Sequence, residues 1–303
     1  MKLIECKNLS KKYGDKLALN AVSLELDSGA PIALVGPNGA GKTTLFSLLC
    51  GYILPTKGEL TILGEKPGSP NLQGRVSALP QDAALDPNFS VKSHLIFLAQ
   101  LQGFNSKQAK QEAIRVLELV DLADAAKLMP SSLSHGMSKR VAIAQALIGQ
   151  PELVLLDEPT AGLDPANARK VRQIVQDLSD KTTFIISSHN LEELEKLCDQ
   201  VLYLEQGQLQ QSVSMHAQQD TDYLTVTMQS ANAEQLVSPL LALDNIISVK
   251  PVNNDQLLIE YHNLQNFQIE IALLGWFNSN NHMYKSMLRG RTLEDTLFSG
   301  QTD

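Results

Sequence analysis

One stretch of the chain carries the residue types and spacing needed to hold a phosphate group. The run GPNGAGKTT, residues 36–44, follows the apolar residues 31–35 and matches the pattern G-x-x-x-x-G-K-S/T in a strand–loop–helix setting. Glycines let backbone N–H groups approach an anion, and the helix that follows adds its positive N-terminal end. A lysine in this place reaches the β- and γ-phosphates, and the next hydroxyl can ligate Mg²⁺. The residues predicted to bind nucleotide here are Gly36, Pro37, Asn38, Gly39, Ala40, Gly41, Lys42, Thr43 and Thr44.

A pair of acidic residues ends a second apolar run. Leu153 to Leu156 has the length and composition of a buried parallel strand, and Asp157 and Glu158 follow directly. Ligands bind outside the C-terminal ends of such strands. We therefore predict that Asp157 holds Mg²⁺ through water and that Glu158 polarises an attacking water molecule. Because neighbouring strand residues point to opposite faces, the two carboxylates can have different roles.

A third motif, LSHGM at residues 133–137, precedes the acidic pair. It resembles the LSGGQ signature of ATP-binding cassette (ABC) proteins, and the resemblance covers roughly residues 1–210. In that family the signature of one subunit contacts the γ-phosphate held by another, which implies nucleotide contacts for Ser134 and Gly136. A helix N-terminus facing an anion fits that role. His135 stands where the family usually has glycine, so it either contacts phosphate or is a solvent-facing loop residue.

The resemblance assigns roles to single residues elsewhere in the chain. Tyr13 resembles the aromatic residue that stacks on adenine, although its place before Gly14 also suits a simple hairpin turn. Gln81 resembles the Q-loop glutamine, which ligates Mg²⁺ or holds the water. Asp164 resembles the D-loop aspartate and can also be the N-cap of a helix that starts at a proline. His189 resembles the switch histidine that touches the γ-phosphate.

Taken together, these assignments define a predicted site for ATP and Mg²⁺. The predicted catalytic residues are Glu158, His189, Gln81 and Lys42, and the predicted metal ligands are Thr43, Gln81 and Asp157. Tyr13, Ser134, Gly136 and Asp164 complete the predicted nucleotide contacts.

Composition narrows the class of protein. The net charge of −8 and the sequence pI near 5.3 argue against a basic nucleic-acid surface, so no nucleic acid is expected as a partner. Cys6, Cys50 and Cys198 are widely spaced and predict neither disulfides nor a zinc site, which suits a reducing cytosol. No apolar run reaches the ~18 residues that a membrane-spanning helix needs. We expect the chain at the cytoplasmic face of the cell membrane, with any pore formed by another chain.

At 303 residues the chain is long enough for two domains. We predict an α/β fold: a P-loop NTPase of the ABC nucleotide-binding type over residues 1–211, with a helical insert over about 85–150. Residues 212–221 are polar and predict a linker. Residues 222–303 predict a small α+β accessory domain with the order βαββαβ, which is a ferredoxin-like order. A final helix is predicted from Thr292, in a tail that resembles those of drug- and polysaccharide-exporter subunits.

The resemblance implies the ATPase subunit of an ABC transporter, of the multidrug and polysaccharide exporter type. Its expected partners are an integral membrane permease, docking on residues 83–104, and a second copy of the chain that closes an ATP sandwich. Three alternatives remain: an importer ATPase, a soluble ABC ATPase acting on ribosomes or DNA, and a regulator without turnover. The single phosphate loop argues against ribosome-acting members, which usually carry two cassettes. Glu158 and His189 argue against a regulator that does not hydrolyse nucleotide.

Overall fold

The computed structural model describes residues 2–214, 221–229, 233–263 and 268–290. The chain divides into two compact units, Met1–Met215 and His216–Asp303. The elements of the first unit are β1 (Lys2–Tyr13), β2 (Lys16–Asp27), β3 (Ile32–Val35), α1 (Lys42–Leu49), β4 (Lys57–Ile62), β5 (Val76–Leu79), α2 (Val91–Leu101), α3 (Ser106–Leu119), α4 (His135–Ala146), β6 (Leu153–Asp157), α5 (Pro165–Leu178), β7 (Thr183–Ser187), α6 (Leu191–Glu195), β8 (Gln200–Glu205) and β9 (Gln208–Ser214), with 3₁₀ turns at Pro70–Leu72, Ala123–Lys127 and Pro130–Ser132.

Several residues of the predicted site lie at or just after the C-terminal ends of strands in a six-stranded sheet. Its order is β5-β6-β7-β3-β8-β9, parallel except for the β8–β9 hairpin at one edge. Strands β3 and β7 are buried along their whole length, as the apolar runs predict for strands covered on both faces. All four parallel pairings place C-terminal strand ends along one edge, so the residues that follow β3, β5, β6 and β7 converge there.

A second sheet packs against the first. Its antiparallel order is β2-β1-β4, so β2 is an edge strand, as the alternation in its sequence predicts. One apolar core includes Leu9 of β1, Leu19 of β2, Leu34 of β3, Leu48 of α1 and Leu155 of β6, each almost inaccessible to solvent. This core fixes α1, and with it the phosphate-binding loop, between the two sheets.

The helical insert lies between β5 and β6 and comprises α2, α3 and α4. Helix α3 begins with a capping box. The Asn105 side chain accepts the backbone N–H of Gln108, and the Gln108 side chain accepts the backbone N–H of Asn105. Helix α4 begins at His135, because the Ser134 hydroxyl accepts the backbone N–H of Met137 as an N-cap.

The predicted linker, residues 212–221, includes strand residues at both of its ends. Ser212 and Ser214 belong to β9 and pair with Leu202 and Gln200 of β8, because backbone hydrogen bonding continues although the side chains are polar. At the other end, the next strand already begins at Thr221. The helix predicted from Thr292 lies outside the described residues.

The second unit has the predicted element order βαββαβ. Its elements are β10 (Thr221–Met228), α7 (Ala233–Leu241), β11 (Ile246–Asn253), β12 (Gln256–His262), α8 (Ile269–Ser279) and β13 (Tyr284–Arg289). The sheet order is β11-β12-β10-β13, with antiparallel neighbours throughout. Alternate strand residues such as Val226 and Ile259 pack with Leu240 of α7 and with Leu273 and Phe277 of α8. The unit therefore has its own apolar core. Within the described ranges of the whole chain, no helix is both long and apolar enough to cross a membrane.

Candidate active site

The loop between β3 and α1 requires glycine at two places where another backbone approaches closely. A Cβ on Gly36 would overlap the carbonyl oxygen of Leu204 at the end of β8. Gly41, which precedes α1, has φ 109°, and a Cβ there would lie 2.6 Å from the carbonyl oxygen of Ala18. The loop is thus held between β2 and β8, with its backbone turned as the sequence motif predicts.

Lys42 is held within its own loop. Its Nζ donates hydrogen bonds to the carbonyl oxygens of Gly36, at 2.5 Å, and Pro37, at 3.2 Å. Burial lowers the pKa of this ammonium group, and the nearby carboxylates of Glu158 and Asp157 oppose that decrease. The charge therefore lies at the loop, with partners that an incoming phosphate can replace.

Asp157, the last residue of β6, and Glu158, which follows it, both bond to a single serine of β7. Asp157 and Ser187 are direct neighbours in the parallel pair, and the Ser187 hydroxyl donates a hydrogen bond to Asp157 Oδ1. The backbone N–H of Glu158 donates to both the carbonyl oxygen and the Oγ of Ser187, each at 3.1 Å. Ser187 is completely buried and was not predicted, because its proximity depends on the register of two strands that are distant in sequence.

Glu158 is not a strand residue, contrary to the expectation that the two acids alternate along one strand. It has φ 50° and lies in the left-handed region, which turns the chain directly after Asp157. Its Oε2 lies 2.9 Å from Nδ1 of His189, so the structure brings the predicted base and switch histidine into contact. The Glu158 side chain is 12% exposed and that of His189 is 77% exposed. The carboxylate is therefore held by its surroundings, whereas the imidazole is not.

One cleft, of about 270 Å³, gathers most of the predicted nucleotide residues. Lys16 and Ala18 of β2 also line it, and no sequence motif predicts them apart from their closeness to Tyr13. Tyr13 ends β1 just before the hairpin turn and also lines the cleft. The cleft is lined by Tyr13, Lys16, Ala18, Asn38, Gly39, Ala40, Gly41, Lys42, Thr43, Thr44, Gln81, Asp157 and Glu158.

The segment carrying Gln81 is tied to the helical insert. Lys139 of α4 donates a hydrogen bond from Nζ to the Gln81 carbonyl oxygen at 2.9 Å. The Gln81 side chain stays exposed and lines the cleft. The segment at Gln81, which lines the cleft, is therefore in direct contact with α4.

Ser134, Gly136 and Asp164 do not line that cleft. They meet at the N-terminal ends of α4 and α5: Ser134 caps α4, and Asp164 caps α5 by accepting the N–H groups of Ala166 and Asn167 at 3.0 Å each. Gly136 is buried in the first turn of α4, where a Cβ would overlap the side chain of Asn167. The helix starts are thus packed together, away from the nucleotide cleft of their own subunit.

His135 is the first residue of α4 and is exposed. It lines a separate groove of about 540 Å³ with Gly162, and a Cβ on Gly162 would lie 3.3 Å from its Nε2. The imidazole therefore faces the segment that leads to Asp164 and is not an isolated loop residue.

If His135 contacts the γ-phosphate, His135→Gly should change the rate of ATP hydrolysis by at least several-fold. Steady-state rates of the purified variant and the wild type test this. Unchanged rates would restrict His135 to packing against Gly162.

Comparisons with known proteins agree with this geometry. The family profile described as "ABC transporter" matches residues 19–161. The linearmycin resistance ATP-binding protein LnrL of Bacillus subtilis (strain 168) is 34% identical over 210 residues, covering 68% of each chain. The Nod factor export ATP-binding protein I of Rhizobium sp. (strain N33) is 34% identical over 240 residues, covering 78% of this chain and 79% of the relative.

Solved structures share the fold. An ATP-binding subunit of an ABC transporter has a TM-score of 0.63 and 26% identity, covering 70% of this chain and 90% of that one. The ATP-binding cassette MJ0796, in a dimeric post-hydrolysis state with ADP and Pi, has a TM-score of 0.64 and 24% identity, covering 71% of this chain and all of that one. The latter likeness shows the fold alone.

The fold and cleft define a P-loop ATPase cassette. The chain belongs to the family of ABC transporter ATP-binding proteins, and it is the ATP-hydrolysing subunit of such a transporter. The predicted family, fold class and enzyme class are confirmed.

Proposed function

We propose that this chain hydrolyses ATP with Mg²⁺ between two copies of itself and drives export through a separate membrane permease at the cytoplasmic face. The observation that carries the chemistry is the contact between Glu158 and His189 beside the loop that holds Lys42. Export and the permease are supported by the relatives, one of which is named for Nod factor export. Import is the second direction that the same cleft would serve.

The donor groups in the cleft suit Mg²⁺. The hydroxyl of Thr43, the amide oxygen of Gln81 and the carboxylate of Asp157 are hard oxygen donors, and all three residues line the cleft. Magnesium keeps several waters and needs only one or two protein carboxylates beside the phosphates, so a cluster of acids is not required. When bound, the ion would neutralise charge on the phosphates. Ser187 orients Asp157 for this role through its hydrogen bond.

The side chains of the cleft then have separate tasks. Lys42 exchanges its two loop carbonyls for phosphate oxygens and stabilises the charge there. We assign Glu158 the role of accepting a proton from the attacking water, because its carboxylate is largely buried, lines the cleft and contacts His189. His189 lies on the solvent side of Glu158, where it can touch both that carboxylate and the γ-phosphate. Tyr13 offers a flat, half-exposed ring for the adenine.

The second copy completes the site. Ser134 and the start of α4 lie outside the cleft of their own subunit, together with Asp164 at the start of α5. A helix N-terminus attracts an anion, so these ends are suited to the γ-phosphate held by the partner. The MJ0796 cassette is described as a dimer with ADP and Pi, and we propose the same assembly for this chain.

For the permease, we propose a docking surface formed by Phe89 and Phe97. Their rings stack with centroids 5.8 Å apart, and they are 36% and 45% exposed, respectively. Leu95, within the predicted surface, is completely buried and belongs to the helical core, so it offers no anchor. The aromatic pair follows Gln81 along the chain, in the segment that leads from β5 into the helical insert. Aromatic pairs of this kind are typical anchors of protein interfaces.

Cysteine cross-linking tests the transporter function. Single cysteines at positions 83–92 should capture an integral membrane protein in native vesicles, whereas a cysteine at Lys110, exposed on α3, should capture less. Cys6 and Cys198 are buried, and Cys50 is half-buried. Cys50 is replaced by alanine beforehand, so that the introduced cysteine is the reactive thiol. Capture of no membrane protein, with ribosomes or DNA co-purifying, would contradict the proposal and favour a soluble ABC ATPase.

A further inference from the structure

A three-residue network lies beside the catalytic contact and has no part in the chemistry described so far. Thr160 donates a hydrogen bond from Oγ1 to Oε2 of Glu193 at 2.6 Å. Arg172 of α5 donates from Nη1 to the other carboxylate oxygen, Oε1, at 3.2 Å. The Arg172 and Glu193 side chains are only 20% and 23% exposed, so the network is partly shielded from water. Both oxygens of one carboxylate are therefore engaged by different elements.

The network joins the two segments that carry Glu158 and His189. Thr160 lies in the turn that follows Glu158, where the Ala161 N–H donates to the Glu158 carbonyl oxygen at 3.2 Å. Glu193 lies in α6, the short helix that begins directly after His189 and Asn190, and its N–H donates to the Asn190 side chain at 3.3 Å. A shift of α6 relative to this turn would therefore separate the imidazole from the carboxylate.

The two partners of the catalytic contact are held unequally. The Glu158 side chain is 12% exposed and its backbone N–H is bonded to Ser187, so its place is set by β7. The His189 side chain is 77% exposed, so packing does little to fix it. Its backbone lies between β7, which ends at Ser187, and α6, which begins at Leu191. The Glu193 carboxylate connects that helix to the turn after Glu158.

We propose that Glu193 is a positioning residue: through Thr160 it holds α6 against the turn after Glu158 and so keeps His189 in contact with the Glu158 carboxylate. Arg172 fixes the Glu193 carboxylate from the opposite side. This inference rests on the proposed catalytic roles of Glu158 and His189. It predicts that loss of the hydrogen bond slows the chemical step and leaves the binding of ATP unaffected.

Four variants of the full-length chain test the role. Thr160→Val removes the hydroxyl while keeping the shape, and Thr160→Ser restores a donor. Glu193→Gln removes the charge at nearly constant volume. The double variant Thr160→Val/Glu193→Gln completes the cycle. The matched control is Glu152→Gln, which makes the same change in the Arg75–Glu152 ion pair, 2.6 Å long, at the opposite end of β6.

We expect Thr160→Val and Glu193→Gln each to lower kcat for ATP hydrolysis by about tenfold, with KM for ATP within about twofold of the wild type. Thr160→Ser should keep most of the activity. The double variant should be no slower than the slower single variant, because both changes act on the same Thr160–Glu193 hydrogen bond, one by removing its donor and the other by neutralising its acceptor. Glu152→Gln should match the wild type in kcat.

The inference would be overturned by a Thr160→Val protein with wild-type kcat, by a rise in KM in place of a fall in kcat, or by losses that multiply in the double variant. Failure of the proposed function is distinct, because the wild type would then show no ATP hydrolysis or Glu158→Gln would hydrolyse at the wild-type rate. If only Glu158→Gln is slow, the catalytic role of Glu158 stands and the role of Glu193 does not.

Discussion

Replacing Lys42 by alanine is expected to lower the steady-state rate of ATP hydrolysis by at least about a hundredfold, the usual loss when one donor to developing charge is removed. In the structure the Lys42 ammonium lies at the loop carbonyls of Gly36 and Pro37, within reach of any phosphate bound there. No other cation of the cleft lies in the loop, since Lys16 comes from β2. The charge on the phosphates would therefore lose its partner.

Lys57→Ala is the matched control, because Lys57 is exposed on β4 and does not line the cleft. It should hydrolyse ATP at the wild-type rate. A Lys42→Ala protein that matches the wild type, with contaminating ATPase excluded by purification of both proteins in parallel, would contradict the catalytic assignment of the loop.

Glu158→Gln is expected to bind ATP but to turn it over about a hundredfold to ten-thousandfold more slowly, because the proton acceptor is lost while the phosphate loop stays intact. The amide keeps the size of the carboxylate, and the backbone bonds from residue 158 to Ser187 do not depend on the side chain. Unhydrolysed ATP should then hold two copies together through Ser134 of each partner.

Size-exclusion chromatography with light scattering checks this, with and without ATP and Mg²⁺. The Glu158→Gln protein should elute as a dimer with ATP and as a monomer without it, whereas Glu152→Gln should behave as the wild type. A monomer that retains ATP at every protein concentration would rule out the nucleotide sandwich as the proposed assembly.

The sequence predicts the parts of the site that depend on local geometry. The loop of residues 36–44 needs only a strand before it and a helix after it, and the structure has β3 and α1 at those places. The cap at Asp164 is equally local, because its side chain bonds backbone groups within three residues. Even the element order of the second unit follows from short-range periodicity.

What the sequence did not predict depends on contacts between distant residues. Ser187 reaches Asp157 only because β6 and β7 pair in one register. The left-handed turn at Glu158 and its contact with His189 follow from the same pairing, since the N–H of Glu158 bonds to Ser187. The mostly polar side chains of residues 212–214 predict a linker, but the backbone of these residues pairs with β8.

The left-handed backbone at Glu158 restricts which inactive forms are informative for trapping or mutational scanning. With φ at 50°, β-branched replacements such as Glu158→Val are strained by about 1–3 kcal/mol, whereas asparagine and glycine tolerate the conformation. Substitutions at this position therefore change two properties, the ability to accept a proton and the ability to adopt the left-handed backbone. Glutamine and asparagine remove the proton acceptor with little backbone strain, whereas a series of aliphatic residues differs mainly in that strain. Inactivity of a valine variant by itself is thus ambiguous between lost chemistry and a displaced chain.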